Sequence, residues 1–229
     1  MTNHEGSPLL IATNNKGKVK EIQDLLKGMD IELVTPSQIG LELDVVEDGK
    51  TYTENATKKA IAFAQASNLI SLADDSGLEV DALDGAPGLY SARYGSSHSL
   101  PQNSQNLGGV GGGSLLSFSD RRKYLISNLQ GKPRPWTARF RATIAIANPS
   151  NVKLNPVSNE SLQLTEGTCE GEIIPEDRGT GGFGYDPIFL FPELGKTMAE
   201  LPAEEKNRLS HRAKAVMNAK GILEEMFRQ

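Results

Sequence analysis

Cysteine is nearly missing from this chain: Cys169 is the only one among 229 residues. No internal disulfide can form, so the fold must be held by its core. A chain of this length buries roughly 70–75% of the surface it exposes when unfolded, and needs no staple. Histidine is scarce as well, limited to His4, His98 and His211. One thiol and three scattered imidazoles do not supply the ligand spacing of a Cys/His zinc site. There is no basic excess. Lysine and arginine number 24 against 29 acidic residues, which gives a net charge of -5 and a pI near 5.3. That argues against general binding of nucleic acid or of an anionic membrane surface, both of which need a basic face. It leaves room for a local basic pocket around a small anion. Long apolar runs are also lacking, and none approaches the ~20 residues of a membrane span. The opening MTNHEGSP has no basic region followed by an apolar stretch, so no signal peptide is expected and a reducing cytoplasm is the expected location.

What is present is globular: 38% hydrophobic and 23% charged residues are ordinary values for a packed domain. A short apolar strand at 9–12 is followed by the polar loop 13–18. Val19, Ile22, Leu25 and Leu26 then recur at helical spacing. A second helix is expected from Thr51, where Thr51 and Glu54 form a capping-box pattern ahead of Ala56, Ala60, Phe63 and Ala64. The run at 69–73 reads as a buried strand. Strand, helix and strand in alternation imply an α/β fold with part of its sheet parallel. Further on, a helix is expected at 120–129, a strand at 138–147, one or two strands at 162–174, and another apolar run at 187–191. A final helix capped by Ser210 carries Ala213, Val216, Met217, Leu223 and Phe227 on one stripe. Two segments interrupt the pattern. Residues 103–114 are glycine-rich and nearly free of charge, so they read as a flexible insertion. Residues 148–161 are polar and read as a connection or hairpin tip.

The adjacent carboxylates Asp74 and Asp75 stand out. They follow the 69–73 run, which puts Asp75 near the C-terminal end of a strand, where ligands bind in open α/β sheets. Neighbouring like charges raise each other's pKa, and a hard cation such as Mg²⁺ removes that conflict. An Asp-Ser-Gly turn with solvated carboxylates is the other reading. Glu47 and Asp48 precede Gly49 in a loop leading to the Thr51 helix. One of them would complete an oxygen-ligand set with Asp75, or both decorate an acidic surface turn.

Thr13, Asn14, Asn15, Lys16, Gly17 and Lys18 gather hydroxyl, amide and ammonium donors at a helix N-terminus, where the dipole attracts anions. A solvated basic helix start would look the same. Gly179-Thr180-Gly181-Gly182-Phe183-Gly184 matches G-x-G-x-x-G formally. The dinucleotide fingerprint must open a helix, however, and here Tyr185-Asp186-Pro187 leads into a β-like run. A backbone turn bringing Phe183 and Tyr185 to a flat ligand is one alternative, with stacking worth about 1–3 kcal/mol per base and Asp186 accepting from a base edge. A tight turn with both rings packed in the core is the other. Finally, Lys206, Arg208, His211, Arg212 and Lys214 crowd a helix start against its dipole. This suits a docked anion or a solvated charged face.

Taken together, five stretches resemble the inosine triphosphate pyrophosphatase family, the noncanonical purine NTP or XTP/dITP diphosphatases. They are IATNNKGKVKEI (11–22), TYTENATKKA (51–60), ADDSGLEVDALDGAPGLYSARYG (73–95), GTGGFGYDPIF (179–189) and EEKNRLSHRAKA (205–215). They keep the family's order and span nearly the whole chain. The resemblance implies Mg²⁺-dependent hydrolysis of dITP, ITP and XTP to the monophosphate and pyrophosphate. It implies one domain over 1–229: an elongated mixed β-sheet flanked by helices, with two lobes and a central cleft, and usually a homodimer. By motif, Asp75 is the catalytic acid residue and a metal contact, and Glu47 is the second metal ligand. Thr13 to Lys18 line the triphosphate, and Ser76 touches substrate. Phe183, Gly184, Tyr185 and Asp186 surround the base, and Lys206, His211 and Arg212 complete the pocket. Arg212 or backbone N–H groups facing a 6-oxo group would favour hypoxanthine and xanthine over adenine. Two alternatives stand beside this. One is a related pyrophosphatase preferring modified pyrimidines or ordinary nucleotides, as in the Maf-like group. The other is a nucleotide-binding sensor without catalysis.

Overall fold

The structure, a computed structural model, describes residues 8–96, 116–150 and 161–228. The glycine-rich stretch at 103–114, most of the 148–161 connection, His4 and His98 lie outside these residues. The elements in chain order are β1 (Leu9–Ile11), α1 (Lys16–Leu26), β2 (Leu33–Val34), α2 (Tyr52–Ser67), β3 (Ser71–Val80), α3 (Phe118–Leu129), β4 (Trp136–Ala147), β5 (Leu162–Ile173), β6 (Phe189–Phe191), β7 (Lys196–Thr197), α4 (Ala203–Leu209) and α5 (His211–Phe227). The strands form one mixed sheet in the order β2-β1-β3-β4-β5-β6-β7. β1 runs parallel to β2 and β3, with Leu10 opposite Val34 and Ser71, whereas β6 is antiparallel to β5 and β7. This is the expected α/β fold. Among the described residues no helix is long and apolar enough to cross a membrane.

The chain divides into two compact units. The first comprises Met1–Ser76, Ala142–Thr168 and Asn207–Gln229; the second comprises Gly77–Arg141 and Cys169–Lys206.

In the first unit the sheet is covered on both faces, and the period of two along its strands sorts the side chains. Leu9, Ile11 and Leu72 face Ile22, Leu25 and Leu26 of α1 and Ala215, Val216, Ala219 and Leu223 of α5. Leu10 and Ala73 face the Ala56, Ala60, Phe63 and Ala64 stripe of α2. α2 starts where its capping pattern predicts: Thr51 Oγ1 accepts from Glu54 N at 3.1 Å. The Glu54 carboxylate reaches back one residue further than the usual box, accepting from Lys50 N at 2.6 Å. Helix α5 is capped by Ser210, whose hydroxyl accepts from Ala213 N. It lies so close to β5 that a Cβ on Gly167 would stand 2.2 Å from the His211 carbonyl oxygen.

The second unit has its own core, which includes Leu78, Val80, Leu125, Leu129, Trp136, Phe140, Cys169, Tyr185, Ile188 and Phe189. Phe140 and Phe189 pack with ring centroids 4.7 Å apart. α3 begins two residues before the sequence suggests, because Ser117 Oγ accepts from Asp120 N and caps it there. The 162–174 region forms a single strand, β5.

One expectation needs correcting. The strand read at 69–73 runs from Ser71 to Val80, so Asp74 and Asp75 lie in its middle. They are neither at its C-terminal end nor in an Asp-Ser-Gly turn. The strand continues through two aspartates because cations meet both charges, and because Leu78 and Val80 resume the apolar alternation and are fully buried.

Candidate active site

Because Asp74 and Asp75 are consecutive on a strand, they point to opposite faces of the sheet. Their contacts therefore come from different helices, although the Lys18 and Lys59 charges act on both. Asp74 has the parity of Leu72 and meets α1 and α5. Lys18 Nζ lies 2.6 Å from its Oδ2, Arg212 Nε lies 3.2 Å from its Oδ1, and Ser76 Oγ donates to Oδ2 at 3.1 Å. Burial pushes the Asp74 carboxyl upward, but the charges of Arg212 and Lys18 outweigh it and hold the group far below the usual carboxylate range. Burial lowers the Lys18 ammonium, with Asp74 opposing that shift. Arg212 is 3% exposed. Besides Asp74, it donates to Glu21 and, at 2.9 Å, to Ser76 Oγ. Burial disfavours its charge, yet Asp74 and Glu21 raise its pKa above the ordinary arginine value. Arg212 therefore belongs to a buried charge cluster in the first unit.

Asp75 has the parity of Ala73 and meets α2. Lys59 Nζ lies 3.6 Å from Asp75 Oδ1 and 3.1 Å from Glu47 Oε1, and it donates to the Asp74 carbonyl at 2.7 Å. One ammonium thus bridges two carboxylates. The Asp75 carboxyl is raised, first by burial and further by the Glu47 charge, while Lys59, Lys18 and an Asn55 hydrogen bond pull it down. Asn55 also accepts from Gly49 N at 2.8 Å, tying the acidic loop to the helix. The geometry therefore brings Glu47 to Asp75, and Asp74 is not the source of the Asp75 shift.

The 13–18 loop ends in a helix cap. Asn15 Oδ1 accepts from Gly17 N and Lys18 N at 3.0 and 3.2 Å, and Thr13 Oγ1 accepts from Asn15 N. Asn14, Asn15 and Lys16 are exposed, while Thr13, Gly17 and Lys18 are half-buried. The first turn of α1 carries no acidic residue; Asn15 caps two of its amides and Asp74 meets the Lys18 ammonium, while the helix dipole still favours negative charge at this end. His211 is the first residue of α5 and is buried.

In the second unit, the glycine-rich run opens no α-helix and leads through a turn at Asp186–Ile188 into β6. Gly182 has φ +69°, and a Cβ there would meet Asp186 Oδ2 at 1.9 Å. Only glycine fits that turn. Asp186 is the hub of this unit's cluster: Oδ2 accepts from Phe183 N at 2.8 Å and from Lys206 Nζ at 2.6 Å. The same ammonium stands 5.4 Å from the Phe183 ring centroid. Phe183 is half-buried, with Phe118 6.4 Å away. Tyr185 follows the core reading instead. It is 4% exposed, and its hydroxyl donates to the Ser91 carbonyl at 3.1 Å. Burial pushes its pKa well up. Its ring packs in the core, whereas Phe183 keeps part of its surface accessible. Gly184 offers its carbonyl to Arg122 Nη1 at 2.8 Å.

Sequence reasoning missed Lys59, Asn55, Glu21 and Arg122. Lys59 and Asn55 fall inside the TYTENATKKA stretch on the strand-facing side of α2, at positions where helical spacing expects apolar residues. That mismatch was the available signal. Glu21 and Arg122 carry no local signal, because their partners are 191 and 62 residues away in sequence.

Comparison with known proteins gives the family. The Ham1 family model aligns with residues 9–222. A dITP/XTP pyrophosphatase of Desulforamulus reducens is 44% identical over 96% of both chains. Another from Bacillus subtilis is 39% identical over 94% of this chain and 96% of its own. Among solved structures, a HAM1 protein from Coxiella burnetii superposes with a TM-score of 0.76 at 33% identity, covering 96% of this chain and 99% of that one. The Ham1 protein of Staphylococcus aureus gives 0.74 at 34% identity, with the same coverage. The motif resemblance thus extends over almost the full length, and the chain belongs to the Ham1 family.

Proposed function

We propose that this protein hydrolyses deaminated purine nucleoside triphosphates (dITP, ITP and XTP) to the monophosphate and pyrophosphate. The observation that carries the reading is the charge arrangement around β3 in a chain closely related to dITP/XTP pyrophosphatases. One carboxylate, Asp74, is held ionised by Lys18 and Arg212; its neighbour Asp75 is buried, raised in pKa and paired with Glu47 across an ammonium.

In this reading water attacks the α-phosphorus and the bond to the β-phosphate bridging oxygen breaks, so pyrophosphate leaves. Asp75 takes the proton of the attacking water, and a carboxylate with a raised pKa suits that task. Lys18 and the N-terminal amides of α1 stabilise negative charge on the phosphates, with Thr13, Asn14, Lys16 and Ser76 as further donors. Such fixed positioning and electrostatics supply most of the acceleration in phosphate chemistry. Phe183 stacks on the purine, and Asp186 with Lys206 fixes the turn that presents it. His211 borders the substrate at the start of α5. A 6-oxo purine is favoured over adenine by Arg212 or by backbone N–H donors facing that oxygen.

Among the described residues no group of three or more His, Cys, Asp or Glu side chains is gathered for a metal. Two oxygen ligands nevertheless suit Mg²⁺, which binds through one or two carboxylates and keeps waters and phosphate oxygens as its other ligands. Glu47 and Asp75 already share one cationic group, Lys59 Nζ, so the pair fits a hard cation and would hold it. When bound, the ion supplies charge neutralisation on the phosphates and lowers the pKa of a bound water. We further propose a cytoplasmic location and a homodimer, the latter tested by sedimentation of the purified protein.

The experiment is product analysis with dITP, dATP and dGTP in Mg²⁺. The expected result is pyrophosphate plus dIMP, with dATP and dGTP far slower. Orthophosphate as product, or equal rates on all three, rejects the proposal.

A further inference from the structure

The residue that closes the glycine-rich turn of the second unit is not among its own neighbours in sequence. Arg122 projects from α3 and reaches both ends of the segment. Its Nε donates to the two carboxylate oxygens of Asp177 at 2.9 and 3.0 Å, its Nη2 adds another bond to Asp177, and its Nη1 donates to the Gly184 carbonyl at 2.8 Å. Only 12% of the Arg122 side chain is accessible, against 48% for Asp177.

Between Asp177 and Gly184 lie Arg178, Gly179, Thr180, Gly181, Gly182 and Phe183. Three of these are glycines, the residue that loses most conformational freedom on ordering. Backbone bonds from Arg178 N to the Pro187 carbonyl and from Gly181 N to the Ala199 carbonyl fix points within it, and a tie between its two ends narrows the freedom that remains. Arg122 holds both with one planar fork, a shape that lysine cannot reproduce. The same helix carries Phe118, whose ring lies 6.4 Å from that of Phe183. α3 thus grips the stems of the turn through Arg122 and lies against its aromatic tip through Phe118.

We infer that Arg122 is a positioning residue for purine recognition: by joining Asp177 to the Gly184 carbonyl, it holds Phe183 in the orientation that stacks on the base. This rests on the proposed assignment of Phe183 to the base. It differs from a stability role because its effect must pass through Phe183 and appear in substrate affinity.

The test is a double-mutant cycle in the full chain, with steady-state kinetics on dITP and melting temperatures in parallel. Arg122→Ala and Arg122→Lys should each raise KM about tenfold, the worth of one charge-assisted hydrogen bond, with kcat within about twofold of wild type. In a Phe183→Ala background, Arg122→Ala should add less than about twofold to KM. Asp177→Asn, on the exposed side of the pair, is the milder variant and should give a smaller KM increase if Arg122→Ala folds poorly. Three results would overturn the inference while leaving the base assignment standing: an unchanged KM in both Arg122→Lys and Asp177→Asn, a fall in kcat alone, or full additivity with Phe183→Ala. If Phe183→Ala itself leaves KM unchanged, the base assignment fails and this inference fails with it.

Discussion

Both units bury ion pairs, but they hold them by different means. In the first, Asp74 and Asp75 sit in the middle of a ten-residue strand, and their partners come from three helices packed on the two faces of the sheet. All of those positions lie on regular strand or helix. In the second, Asp186 and Lys206 organise a turn built from glycines, where side-chain bonds to Phe183 N and the Gly184 carbonyl supplement a few irregular backbone bonds. Chemistry that must place a proton acceptor to within a fraction of an ångström is better placed on the strand. Recognition of a flat ring tolerates the turn. If the comparison is right, changes in the first unit strike turnover and stability, and changes in the second strike affinity.

The largest effect should come from Asp75→Asn. It keeps the shape of the side chain and removes its basicity, so kcat on dITP should fall about 10²–10⁴-fold while circular dichroism stays unchanged. Near-normal turnover would take Asp75 out of the reaction. Arg212→Ala comes next and is a stability test. It takes one of two close cations from the buried Asp74 and removes the guanidinium that half-buried Glu21 pairs with, and removing one member of a buried ion pair costs about 3–5 kcal/mol. Urea denaturation should show that loss; a change under about 1 kcal/mol would mean the cluster is solvated. Phe183→Ala should raise KM for dITP about tenfold with kcat little changed, in line with about 1–3 kcal/mol for a base stack. A fall in kcat without a change in KM would put Phe183 back in the core and erase the contrast between the units.

The smallest effect concerns the exposed strand face of the second unit. There Thr137 Oγ1 donates to Asp81 at 2.6 Å and Arg139 pairs with the same carboxylate at 2.8 Å. The Thr137 bond, with help from Arg139, depresses the Asp81 pKa. A depressed folded-state pKa stabilises above the unfolded value of about 3.9 and loses that contribution as pH falls through the folded one. Thr137→Val should therefore be slightly less stable than wild type at pH 7, and the gap should close as pH drops below about 4. A gap that persists at pH 2 would assign the loss to packing.

Much of this was legible in the sequence, for identifiable reasons. The α2 cap at Thr51, the α5 cap at Ser210 and the apolar stripes between them are local patterns, and local patterns survive folding. The failure of the G-x-G-x-x-G run to open an α-helix was legible from Pro187. The extent of β3 was not. Its continuation through Asp74 and Asp75 depends on Lys18, Lys59 and Arg212, which come from three distant segments. Nor was the division of labour between the two aspartates, since strand parity can be assigned only once the strand is known. Tyr185 and Phe183 look alike in the sequence. What separates them is the Ser91 carbonyl, 94 residues away. Arg122 sits in an ordinary charged helix face until Asp177 and Gly184 come to it.

The close seating of α5 on β5 has an implication of its own. Gly167 has no chemical role, yet the atom it lacks decides how deeply the helix bearing His211 and Arg212 can settle. Adding a single methyl would lift that helix, draw the guanidinium away from its carboxylates, and weaken a charge cluster that the new atom never touches. The electrostatics of this protein are set in part by an omission, in a strand that carries none of the cluster's charges.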